Sequence, residues 1–234
     1  MDIGKAFSYV FEDEQWISSI LICGLMIFIP IIGWLAIAGY GLEAARNVAQ
    51  NNPRPLPKWN NFGEKISLGW NWLLISLFYA LPVIILSTLF ACIPAFAGMA
   101  GATGSDEVVG AMVAMSVSLM LCLMPILILL GLAIQVLIFP AALRYLQTGS
   151  LGAALQFREV IAMVRSDLSG WVVVLLLYLL ASLVMQVGSI VVIGIIFTMP
   201  YGQAFFGHIL GQKLAQMGMP RDYGTSYGPP SSVM

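Results

Sequence analysis

His208 is the chain's only histidine, and it lies in an apolar stretch, within Gly207-His208-Ile209-Leu210-Gly211-Gln212. An imidazole in such a setting has three chemistries open to it: axial ligand to a haem or chlorophyll, proton relay, or polar packing contact between helices. The stretch supplies neither a second histidine nor an acid. The packing reading is therefore preferred, with Gln212, four residues on, as the partner. Gln135, Gln186 and Asn71 are the strongest polar groups in the other apolar stretches. Gln135, Gln186, Tyr201 and His208 would line the path if the chain were a permease for a neutral or amphiphilic small molecule. Ion-coupled transport also calls for a carboxylate or base deep in the membrane, and none stands away from the edges of the apolar runs.

Glu43 and Arg46 have the three-residue spacing of a helical ion pair. Neither has a nucleophile or metal ligand beside it, so a structural pairing is expected. The scattered serines have no histidine–acid company, which leaves a protease reading without support. Cys23, Cys92 and Cys122 lie in apolar runs without the paired spacing of a zinc site or a disulfide framework. No catalytic residue, metal site or cofactor is expected, and the chain reads as non-enzymatic.

The elements that must carry these residues follow from where charge is missing. No charged residue lies between Asp167 and Lys213, or between Glu14 and Glu43, and between Lys65 and Arg144 only Asp106 and Glu107 are charged. Charge is costly at a bilayer centre, so these runs mark membrane-embedded helices. The composition agrees, at 60% hydrophobic and 9% charged residues, against about 25% charged in soluble domains. A net charge of −1 gives no reason to expect nucleic acid as a partner. Acidic Glu12, Asp13 and Glu14 precede the first apolar run where a cleavable signal needs a positive flank, so that run is expected to stay in the mature chain.

The reading is an all-α, polytopic membrane protein with a single membrane domain over residues 1–217. A surface helix over 2–12 has Ile3, Ala6, Phe7 and Val10 on one face. Embedded segments follow at 17–29, 33–45, 69–97, 111–143, 171–186 and 189–212. The first two are either a hairpin turning at Pro30-Ile31-Ile32-Gly33 or one further span. The remainder make four full transmembrane helices, with Pro82, Pro94 and Pro125 as kink points. The last pair turns at Val187-Gly188-Ser189, because residues 171–212 drawn as one helix would be about 63 Å long. An interfacial amphipathic helix over 150–168 has Phe157, Val160, Ile161, Val164 and Leu168 as its apolar stripe. Gly207, Gly211 and Ala215, like Gly41 and Ala45, form faces suited to close helix packing. The tail, 218–234, reads as flexible.

The Lys and Arg residues flank the runs, so the Arg46–Lys65 and Arg144–Asp167 connections and the C-terminus are expected in the cytoplasm, and Asp106 outside. Membrane lipids, and other membrane subunits or a second copy, are the expected partners.

Several stretches resemble an uncharacterised prokaryotic family of multi-pass membrane proteins, defined as a domain of unknown function. They are Ile29-Pro30-Ile31-Ile32-Gly33, Gly39-Tyr40, Arg46-Asn47 with Leu56-Pro57-Lys58-Trp59-Asn60-Asn61-Phe62-Gly63, Pro140-Ala141-Ala142-Leu143-Arg144-Tyr145 with Phe157-Arg158-Glu159, and Gly207 to Gln212. The resemblance implies a prokaryotic plasma-membrane protein and supplies no activity. The leading functional expectation is a scaffold or accessory subunit of a membrane complex, ahead of the permease and of a pigment or haem subunit at His208.

Overall fold

The computed structural model describes residues 1–101, 106–190 and 192–218. Every regular element among them is helical: α1 (Ile3–Ser8), α2 (Trp16–Leu25), α3 (Ile32–Ala49), α4 (Phe62–Gly101), α5 (Asp106–Thr148), α6 (Leu151–Ala154), α7 (Phe157–Ser166), α8 (Leu168–Ser189) and α9 (Val192–Met217), with short 3-10 turns at Tyr9–Glu12 and Met26–Phe28. The capping residues explain several of the boundaries. Asp2 accepts the Lys5 amide at 2.8 Å and starts α1, Ser150 accepts from Ala153 at the head of α6, and Asp167 accepts from Gly170 at 3.0 Å to open α8. Asp106 and Glu107 occupy the first turn of α5, where the helix dipole favours acid. Gly149, at φ 66°, ends α5 with its N–H bonded to the Tyr145 carbonyl at 2.8 Å.

Residues 17–42 do not form a straight helix. Pro30 accepts the Ile32 amide at 2.7 Å across Ile31, which holds φ 63° and ψ −67°. This is the three-residue γ-turn of the rarer, strained hand. The chain reverses there, so that Cys23 and Ile20 on α2 share one buried cluster with Ile37 and Tyr40 on α3. From Trp16 to Phe28 the first limb is only about 20 Å long, short of the ~30 Å hydrocarbon core.

The protein is a polytopic helical membrane protein. Phe62–Phe90, α5 and α8 are each long and apolar enough to cross a bilayer. At 26 residues, α9 is about 39 Å long but more polar, with Pro200, Gln203 and His208 along it. α4, α3, α9 and α8 lie side by side in that order, joined pairwise, and the base of α5 packs against α4, α8 and α9. α3 and α9 run parallel at close range. An added Cβ at Gly207 would collide with the Gly41 carbonyl and Ala44, and one at Gly211 with Ala45 and Val48. These glycines serve packing inside the chain. Phe139, Tyr178 and Phe206 interlock at centroid distances of 4.9 to 5.2 Å and tie α5, α8 and α9 together.

Beyond that aromatic knot α4 and α5 leave the body as an antiparallel two-helix arm. Among the described side chains, the buried ones on α4 end at Tyr79, and those on α5, Ser116 apart, begin at Ile134. Val83 and Leu86 on one helix, and Val109, Met112, Leu123 and Leu127 on the other, are half-buried at spacings of three, four and seven, the seam of a paired helix. Helices of 40 and 43 residues measure about 60 Å or more, twice the hydrocarbon core. α5 stays helical through Pro125 and Pro140, and α4 through Pro82 and Pro94. No break occurs at the expected kink points.

Four boundaries differ from the sequence expectation. The surface helix of 2–12 closes with a tighter 3-10 turn at Tyr9–Glu12. The expected interfacial helix of 150–168 divides into α6 and α7, because Gln156 adopts ψ 86°. Its stripe divides as well: Val160 and Val164 are buried in the body, whereas Phe157 and Leu168 stay about half exposed at either end. The turn of 98–110 is shorter than expected, since α4 continues to Gly101 and α5 starts at Asp106. The turn expected at 187–189 does not form there, since α8 stays helical to Ser189; part of 98–110, residue 191 and the tail from 219 lie outside the described residues.

Candidate functional site

At the polar end the basic connections converge. Lys65, fully buried, sits 2.8 Å from the Glu43 carboxylate, donates to the Lys58 carbonyl, and lies 5.3 Å from the Trp59 ring centroid. Arg46 pairs with Glu64 at 2.6 Å. The expected Glu43–Arg46 pairing within α3 is thus replaced by two bridges from α3 to α4. The cause is the close approach of the two helices, where Gly39 leaves room for the Lys65 carbonyl and Gly69 for that of Leu35. Trp59 stacks on Tyr40 and donates to the Ser19 carbonyl at 2.9 Å, which locks the proline-rich connection onto the hairpin. This cluster is a structural clamp: each charge has an opposite charge beside it, and cation–π contact spreads part of the lysine's charge.

On the neighbouring helices Lys213 donates to Asp167 and lies 5.1 Å over Trp171. That hydrogen bond, with a second from the Gly170 amide, holds the Asp167 carboxyl below the usual carboxylate range. Arg144 donates to the Ala153 carbonyl and to Gln156. An open cavity of about 410 Å³ separates Arg144 from Lys213.

The residues expected to line a polar path are dispersed. His208 is buried, with Nδ1 2.9 Å from the Gln212 amide and its ring against Tyr9 at 4.5 Å. Gln212 in turn donates to the Asp2 carbonyl. Tyr201 donates to the Phe7 carbonyl at 2.9 Å. Both therefore fasten the N-terminal surface helix to α9. Gln135 is half-buried on α5, and Gln186 is exposed on α8. None of the four lines the smaller cavity between α3, α4, α8 and α9. Among the described residues no group of three or more His, Cys, Asp or Glu is placed to hold a metal.

That cavity lies where the arm forks from the body. It holds about 120 Å³ and is walled by Ala38 and Gly41 on α3, Trp72 on α4, Tyr178 and Ala181 on α8, and Gln203 and Phe206 on α9. Gly41, Gly202 and Gly207 also line it and let the helices approach: an added Cβ at Gly202 would strike Met185 and one at Gly207 the Gly41 carbonyl. Gln203 lies over Gly41, where an added Cβ would come within 2.9 Å of its Oε1. Among the described residues no protein group hydrogen-bonds the Gln203 amide. Sequence reasoning passed over Gln203 and Trp72. The available signal was the Gly202-Gln203-Ala204 triplet, an amide between small residues five positions before His208.

The family model described as "Protein of unknown function (DUF4013)" matches residues 22–197, which take in the end of α2, α3, both arm helices and α8. No curated protein and no solved structure matches the chain.

Proposed function

We propose that this chain, which belongs to the DUF4013 family, is a non-enzymatic assembly subunit that presents its α4–α5 arm to other membrane helices. The observation that carries this reading is the arm itself. Its two helices bury one seam against each other and leave Ile85, Leu89, Met115, Leu121, Met124 and Leu129 uncovered. Lipid satisfies such faces, but helix pairs in lipid gain further by van der Waals packing with additional helices. Each arm helix is also longer than the bilayer is thick, a mismatch that tilt and lateral association relieve. The basic connections at the opposite end support a reading in which the body faces the cytoplasm, by the positive-inside rule. The dispersal of Gln135, Gln186, Tyr201 and His208 weighs against a continuous polar path.

Gentle extraction from the native membrane followed by native mass spectrometry tests the proposal. The expected result is a stable complex, with another membrane subunit or a second copy, that dissociates when Leu121, Met124 and Leu129 are together replaced by alanine. A monodisperse single chain that carries a neutral solute across liposomes, with flux lost in Gln203→Leu, would reject it in favour of a permease.

A further inference from the structure

The fork cavity faces hydrocarbon, and a void there has few ways to be filled. Its walls are mostly apolar: Leu42, Trp72, Tyr178, Ala181, Phe206 and Leu210 surround a single amide, that of Gln203. Water needs two to four polar partners to be held in such a place, and apolar cavities of roughly 150 Å³ stay dry and take up benzene-sized molecules instead. Access is lateral. Ala38, Trp72, Tyr178 and Gln203 are only half-buried, and α4 and α8 make no extensive contact with each other. The cavity is therefore continuous with the lipid-facing surface of the arm above it, while Tyr178, Phe206 and Leu210 close its floor. Gln203 stands ten residues before Lys213, about 15 Å along the helix from the charged end, and so near the middle of the hydrocarbon. An amide without a partner at that depth favours an occupant that can hydrogen-bond to it.

We infer that the fork is a lateral binding site for a neutral, lipid-soluble molecule that presents one hydrogen-bonding group to Gln203 on an otherwise apolar body. Trp72 and Tyr178 flank the body of this ligand. The site stands independently of the assembly proposal, since it lies in the body and not on the outward faces of the arm.

Photolabelling of the full-length chain in lipid nanodiscs with a diazirine-bearing octanol tests it. Labels are expected at Trp72, Tyr178 and Gln203, and excess unlabelled 1-octanol should remove them. Octane should compete about fivefold less well, the worth of one modest hydrogen bond, and Gln203→Leu should erase that difference. Filling the space from either wall, with Ala38→Leu on α3 or Ala181→Leu on α8, should abolish labelling at the fork while leaving the protein monodisperse. Two variants on different helices guard against one of them failing to fold. Labels spread over Leu121, Leu129 and Leu180 in proportion to their exposure, or fork labels that survive both filling variants, would overturn the inference.

Discussion

Glu43 and Lys65 show how much a single buried pair can govern in a chain with so few charges. Both are out of water, at 11% and 0% side-chain exposure. Removing one partner strands the other, which typically costs about 3–5 kcal/mol, whereas replacing both with apolar residues is often neutral. Glu43→Gln and Lys65→Met are therefore each expected to lower thermal stability in detergent strongly. The double variant Glu43→Leu/Lys65→Met should recover most of the loss. Equal and additive losses in a double-mutant cycle would show that the two residues act separately. His208 belongs to the same scale. It lies between Tyr9 and Gln212, the residue four positions on that the sequence named as its partner. Neither the Glu43–Lys65 bridge nor the place of Gln203 was legible in this way. Twenty-one residues separate Glu43 from Lys65, and nothing in their local spacing says that α3 and α4 meet.

Among the elements, the α2–α3 hairpin carries the clearest strain. Ile31 is β-branched, 74% exposed, and held at φ 63°, a region that such residues rarely occupy. Its side chain contributes little packing, so the turn depends on the backbone alone. Ile31→Gly relieves the strain and is expected to raise the midpoint of thermal unfolding, by roughly 1 kcal/mol of stability after glycine's own entropic cost. A lower midpoint in a differential scanning measurement would mean that Ile31 makes contacts with lipid worth more than the strain. A turn signal was readable from Pro30 followed three residues on by Gly33. Its γ-turn geometry was not, because that depends on how tightly Met26 and Gly33 approach.

For the whole molecule, the layout of charge defines two ends. Lys5, Arg46, Arg54, Lys58, Lys65, Arg144, Arg158, Arg165 and Lys213 lie with the body's surface helices and connections, and Asp106 and Glu107 lie at the arm's tip. The body is therefore expected at the cytoplasmic face and the arm tip outside. In a background with Cys23, Cys92 and Cys122 replaced, a cysteine at position 106 should react with an impermeant maleimide from outside intact cells. A cysteine at position 54 should react only after the cells are opened. The reverse pattern would invert the topology.

Membrane residence, helical class and the gathering of basic residues between the spans were determined by sequence, which marked a break at Pro30 without deciding between a hairpin and one further span. Each rests on a cost that acts locally: charge leaving water, a backbone that must satisfy its own hydrogen bonds in lipid, and a proline that cannot continue a ladder. The tertiary structure alone decided that Glu43 reaches α4 instead of Arg46, and that α4 and α5 part from the body beyond Phe139. It also decided that Gln203 lies over Gly41 at the wall of a cavity between α3, α4, α8 and α9. Those outcomes depend on which helices become neighbours and at what distance. Such contacts are set by packing between segments far apart in the chain, where a uniformly apolar sequence carries no periodic signal to choose among partners.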